Sequence, residues 1–186
     1  MTTSYPGALD ALTNPSSGDQ LNSPSHAGQH ANVNDAIEAM QAAMGVKYGA
    51  RVKAERTATQ SLSSGVDTAI AFNATDAYDT DAFHNPASNN TRLTIPANMG
   101  GLYLVVAAAR YDTSSAGARR LYLLVNGTTL DIGTSLAAVS SSIQMHIQAT
   151  GLLVLAAADY IEVMAYQSSG GALAINLASV EMVKIA

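Results

Sequence analysis

This sequence predicts a mainly β protein: an antiparallel jelly-roll sandwich preceded by one short coiled-coil helix and an extended N-terminal arm. Three observations carry the prediction. Apolar residues alternate with polar ones at period two in the C-terminal three quarters, as in Ile161, Val163 and Ala165 between Tyr160, Glu162, Met164 and Tyr166. Turn formers at Thr113–Gly117 and Ser168–Gly171 cut this region into short strands, at a spacing that suits a sandwich or jelly roll. Upstream, Val33, Ile37, Met40 and Met44 recur at spacings of four, three and four, the narrow stripe of a heptad seam.

Residues 1–24 are rich in Ser, Thr, Asn, Pro and Gly, with Tyr5, Leu9, Leu12 and Leu21 set singly among them. Such a segment cannot bury enough surface to fold alone. Apolar residues spaced between turn formers instead suit an anchoring arm that docks on another protein and orders as it binds.

Residues 25–45 read as one helix. Asp35 and Glu38 support its N-terminal half, and Gly45 suits its C-terminal stop. Extending the seam backwards adds His30 and His26. Polar residues in a seam fix register and strand number; on a three-fold axis they also form imidazole rings able to hold an anion or a metal ion. A helix this short is marginal alone and needs a larger partner that oligomerises with it. The seam by itself allows two strands or three.

Residues 50–186 form the predicted head. Leu102 to Ala109 is apolar almost throughout and reads as a central strand buried on both faces. Leu121, Leu123 and Val125 run into Asn126-Gly127, a two-residue hairpin signal. Ile143, Met145 and Ile147 alternate with Gln144, His146 and Gln148 as a half-buried strand. Tyrosine combines large contact area with a polar tip, so Tyr103, Tyr160 and Tyr166, with Met164, are candidates for an interface between heads. Loops 112–119 and 167–172 are candidates for ligand contact at the distal end.

Composition narrows the function. Charged residues make up 12% of the 186-residue chain against 48% hydrophobic, a balance suited to burial between subunits. The net charge is −5 with scattered basic residues, which argues against nucleic acid. The absence of cysteine removes disulfides and thiol nucleophiles. The first residues show neither a basic start nor an apolar run, so neither a signal peptide nor membrane insertion is expected. Asn73, Asn89 and Asn126 open sequons that read as chance matches.

There is no nucleophile elbow, phosphate-binding glycine loop or dinucleotide fingerprint, so the expectation is a protein without catalytic residues or cofactor. Asp76, Asp79 and Asp81 fall in a turn-rich stretch where oxygen ligands would suit calcium, although the EF-hand spacing is absent; solvated acids are the alternative. Asp159, at a turn before Tyr160, reads as structural.

Two stretches resemble known families. Residues 90–104, with Ile95, Pro96, Gly101 and Tyr103, resemble a strand pair in the globular heads of complement component 1q and tumour necrosis factor relatives. Residues 152–163 resemble that family's Leu-x-Leu-x-x-Gly-Asp-x-Val segment, with Ala158 where glycine is usual, and Leu177 to Ile185 resembles its closing strand. The resemblance implies a ten-stranded jelly roll that assembles as a homotrimer at the end of a stalk, and some members hold calcium. Residues 5–15, 21–30 and 33–39 resemble a leader of tailed-bacteriophage virion proteins, found in minor tail and fibre-like proteins. That likeness implies a virion component assembled in the bacterial cytoplasm, whose arm binds other virion proteins. Two roles follow: a tail-associated fibre or tip that meets a host-surface glycan or protein, or a decoration of the capsid shell.

Overall fold

The computed structural model describes residues 30–40 and 49–185, apart from the side chains of residues 130 and 131. The chain divides into two units, residues 1–48 and 49–186. In the first, residues 30–40 are helical (α1). Tyr5, Leu9, Leu12, Leu21, His26 and Met44 lie outside the described residues.

The second unit is an antiparallel two-sheet jelly roll. Its strands are β1 (Arg51–Arg56), β2 (Gln60–Leu62), β3 (Thr68–Ala69), β4 (Tyr78–Asp79), β5 (Arg92–Thr94), β6 (Gly101–Tyr111), β7 (Ala118–Val125), β8 (Thr128–Ala137), β9 (Met145–Leu155), β10 (Tyr160–Gln167) and β11 (Leu173–Lys184). One sheet runs β4-β1-β11-β6-β9 with β2 beside β11; the other runs β3-β10-β7-β8 with β5 beside β10. The head's first and last long strands are thus neighbours, since β1 pairs with β11 from Arg51↔Val183 to Arg56↔Ala178.

The inward residues are those the alternation selects. Ile161, Val163 and Ala165 of β10 face Val105, Ala107, Ile147 and Val180 of the opposite sheet in one continuous core. Asn126 (φ 51°) and Gly127 (φ 75°) turn the chain between β7 and β8, and Val125 pairs with Thr128. Two left-handed residues in succession match the right-handed strand twist, as the Asn-Gly signal requires.

Two expectations change. β6 is central in its sheet, but only alternate residues are buried; Leu102, Leu104, Val106 and Ala108 stay half-exposed on its outward side. The unbroken apolar run therefore records an apolar outer surface, not burial between two layers. Ile143 is 60% exposed and precedes β9, which starts at Met145, because Ser140–Ser142 holds the chain in a turn before pairing begins.

The core also buries polar groups near one end. Arg119 is fully buried; its Nη1 donates to the carbonyls of Ala116 and Ala118, both at 3.0 Å, while Nε and Nη2 have no hydrogen-bond partner. Burial lowers its pKa. Buried Gln167 donates from Nε2 to the carbonyls of Leu62 (3.0 Å) and Gly171 (2.8 Å) and accepts from Ser169. Side-chain amides here replace the strand ladder where the sheets end.

Candidate functional site

The outward face of the six-stranded sheet carries a row of exposed and half-exposed apolar side chains. Leu102 lies opposite Val154 and Leu104 opposite Leu152, with Val183 on the other flank of Leu104. Val154 is 83% exposed and Leu152 58%. Half-exposed Leu102, Leu104 and Val106 continue the band across the middle strand. Single exposed apolar side chains are ordinary, whereas a contiguous band on regular strands marks a contact surface.

The other end of the same face is charged. Lys53 pairs with Glu181 at 3.1 Å and Glu55 at 3.4 Å, and the bond to Glu181 is the main reason its pKa is raised. Arg110 lies opposite His146, and a shallow cavity of about 250 Å³ opens between them, Lys53 and Leu177. Sequence reading missed this face. The available signal was Leu152-Leu153-Val154-Leu155, apolar at both parities on a strand with only one buried side.

Of the four interface candidates, Tyr160, Met164 and Tyr166 do lie together on the outward face of β10. Arg92 sits 4.0 Å over the Tyr160 ring and bonds Glu162 at 3.3 Å. The Arg120 guanidinium lies 4.8 Å from both the Tyr122 and Tyr166 rings and pairs with Asp67 at 2.6 Å. Tyr103 departs from the expectation. It is completely buried, its hydroxyl donates to the Met99 carbonyl, and burial pushes its pKa up to about 12. Tyr103 points inward because it shares the parity of Val105 and Ala107 on β6. Tyr111, at the same parity, is also buried, donates to the Arg120 carbonyl at 2.7 Å and has its pKa raised by burial.

The three aspartates considered for calcium each have protein partners. Asp79 accepts from the backbone N–H groups of Phe83 (3.0 Å), His84 (2.9 Å) and Asp81 (3.3 Å). Asp76 meets the buried His84 Nδ1 at 2.7 Å, and Asp81 accepts from the Thr80 hydroxyl. These carboxylates shape the chain around β4 through their contacts with residues 80 to 84. Among the described residues no group of three His, Asp or Glu side chains could hold a metal. Asp159 is structural: it accepts from Asn126 Nδ2 and Ala156 N–H, both at 2.7 Å, and the Asn126 bond first among its contacts lowers its pKa.

On α1, Val33 is 45% exposed and Ile37 and Met40 are each 47% exposed, so the described part of the seam is not buried within its own unit. His30, at the seam's described start, is exposed. Among the described residues no helix is long and apolar enough to cross a membrane.

The two candidate distal loops come together. The N–H of Ala118 donates to the Ser168 hydroxyl at 2.9 Å, and the Ser168 N–H donates to the Ala118 carbonyl at 3.1 Å.

No protein-family model and no curated protein matches the sequence. Solved structures match the fold. The globular domain of zebrafish complement 1qA protein is 13% identical with a TM-score of 0.52, over 74% of this chain and 98% of that one. The PRD1 vertex protein P5 is 13% identical with a TM-score of 0.56, over 73% of each chain. At this identity the similarity establishes the architecture: the head is a jelly roll of the kind found in complement 1q globular domains.

Proposed function

We propose that this protein is a non-enzymatic structural component of a phage particle, a homotrimer that anchors by its N-terminal arm and presents its jelly-roll head. The carrying observation is the apolar band Leu102–Leu104–Leu152–Val154 on the outward face of the six-stranded sheet. Its proposed occupants are two further copies of the chain. Val33, Ile37 and Met40 support this choice, because a heptad stripe is covered best by like helices and these three are exposed. The complement 1q-like fold favours three strands where the seam alone allows two or three.

The tail-like leader supports a fibre or tip that meets the host surface, where three weak sites on one trimer act together. One specific observation favours a second reading, decoration of the capsid: a structure sharing the fold is the PRD1 vertex protein P5.

Sedimentation equilibrium of the full chain tests the assembly. A mass of three chains, falling to one in a double variant Val154→Asp and Ile37→Asp, supports the trimer; a monomeric parent protein overturns it. Cryo-electron microscopy of the particle then separates the locations. Density at the tail tip supports attachment, and density on the shell lattice makes decoration the role.

A further inference from the structure

We propose that the groove beside Tyr122, on the outward face of the five-stranded sheet, is a subsite for one neutral sugar unit of a glycan. Gly133 of β8 lies directly opposite Tyr122 of β7, next to a register shift between Tyr122 and Leu124. A Cβ at position 133 would fall 2.5 Å from the Tyr122 Cβ and 2.6 Å from the Leu121 carbonyl oxygen, so only glycine fits. The missing side chain helps to leave a cavity of about 320 Å³, lined by Tyr122, Ile132, Asp67, Arg120, Thr129 and Ser135 among others. That volume lies at the small end of ligand pockets, with room for a single ring unit and not a long chain.

The lining selects the ligand chemistry. Arg120 is held between the Tyr122 and Tyr166 rings and tied to Asp67 at 2.6 Å, so a planar donor and a carboxylate acceptor stand side by side in fixed orientation. Tyr122 shares this environment: burial first, and Asp67 next, raise its pKa to about 12, so its hydroxyl stays protonated. Neighbouring sugar hydroxyls both donate and accept, and so match a carboxylate, a guanidinium edge and the Thr129 and Ser135 hydroxyls together. Ile132 and the Tyr122 ring supply the apolar contact that a sugar's C–H face requires. An acidic sugar fits poorly, because Asp67 already balances Arg120, the one cationic side chain among the described lining residues. An apolar ligand would strip water from the Arg–Asp pair without replacing its hydrogen bonds.

The inference rests on the reading of the head as a surface presented to a host, and it deepens that reading by naming a ligand class. The test is binding of the full chain to an array of neutral and acidic oligosaccharides, followed by titration of the best neutral binder. Ser135→Leu and Thr129→Leu fill the groove from exposed positions, and Asp67→Asn keeps the shape while removing the acceptor charge. The expected result is binding to a neutral glycan that weakens at least about tenfold in each variant, with Tm and sedimentation mass unchanged. Three results overturn the subsite: no neutral glycan bound, unchanged affinity in Ser135→Leu, or preference for acidic glycans. A trimer that binds no glycan sinks the subsite alone, whereas a monomeric parent chain sinks the proposed function itself.

Discussion

Gly117 packs against Ser168 so closely that a Cβ on Gly117 would lie 1.9 Å from the Ser168 carbonyl oxygen. Gly117 also has φ +71°, in the left-handed region. The contact joins the turn before β7 to the turn after β10, and it lies next to the buried Arg119. Gly117→Ala meets both the backbone clash and the left-handed strain, so a loss of about 3 kcal/mol is expected in denaturant unfolding. A loss under about 1 kcal/mol would mean that the two loops separate without cost.

Ala158 holds φ +72° in the turn between β9 and β10, where its N–H donates to the Ile95 carbonyl at 2.9 Å. An alanine in that region costs roughly 1–2 kcal/mol relative to glycine's freedom there, part of which glycine's unfolded-state entropy offsets. Ala158→Gly should therefore stabilise the head by about 1 kcal/mol, read as a higher denaturation midpoint at unchanged m-value.

Leu152→Asp and Val154→Asp alter side chains that the isolated head leaves largely exposed. Each should change the unfolding free energy of a monomeric head by less than about 0.5 kcal/mol, while lowering the sedimentation mass of the full chain. Equal loss of folding and assembly would show that these residues belong to the core.

Asp79 satisfies backbone donors of Phe83, His84 and Asp81. Asp79→Ala strands part-buried N–H groups, and about 2 kcal/mol should be lost. Chelation of divalent ions should leave the Tm of the parent protein unmoved, since the carboxylates are already engaged. A Tm that drops on chelation and recovers with calcium would restore the metal reading.

Tyr103 and Tyr122 have pKa values raised by burial from 10.0 to about 12. For a raised acid, the unfolded chain releases its proton first, so it binds fewer protons than the fold as pH rises. The associated stability is complete below pH 10 and is lost between pH 10 and about 12. Urea midpoints should fall across that window, and the share of tyrosinate absorbance that belongs to these two buried rings should appear only as the fold is lost. Tyr103→Phe should flatten the slope.

The local patterns legible in the chain follow from short-range physics. Period-two alternation selected the inward residues of β10, and Asn126-Gly127 specified the hairpin between β7 and β8 because both residues accept left-handed backbone. The heptad spacing of Val33, Ile37 and Met40 marked an apolar stripe that the described helix leaves exposed. What depends on strand parity and on pairing between distant segments needed the tertiary structure. Tyr103 and Tyr160 look alike in sequence, yet one faces the core and the other the surface, because parity on each strand is set by its register in the sandwich. The aspartates of residues 76–81 resemble a loop of ion ligands until His84 and the backbone of Phe83 are brought against them. The groove beside Tyr122 joins Asp67, Arg120 and Gly133 from separate parts of the chain: pairing of β7 with β8 sets Gly133 beside Tyr122, and Asp67, just before β3, reaches Arg120 because β3 and β7 both pair with β10. Sequence alone determined which residues prefer to be buried and where the chain turns. The tertiary structure decided which face each strand presents and which apolar surface is left for a partner, because those follow from long-range register and not from local preference.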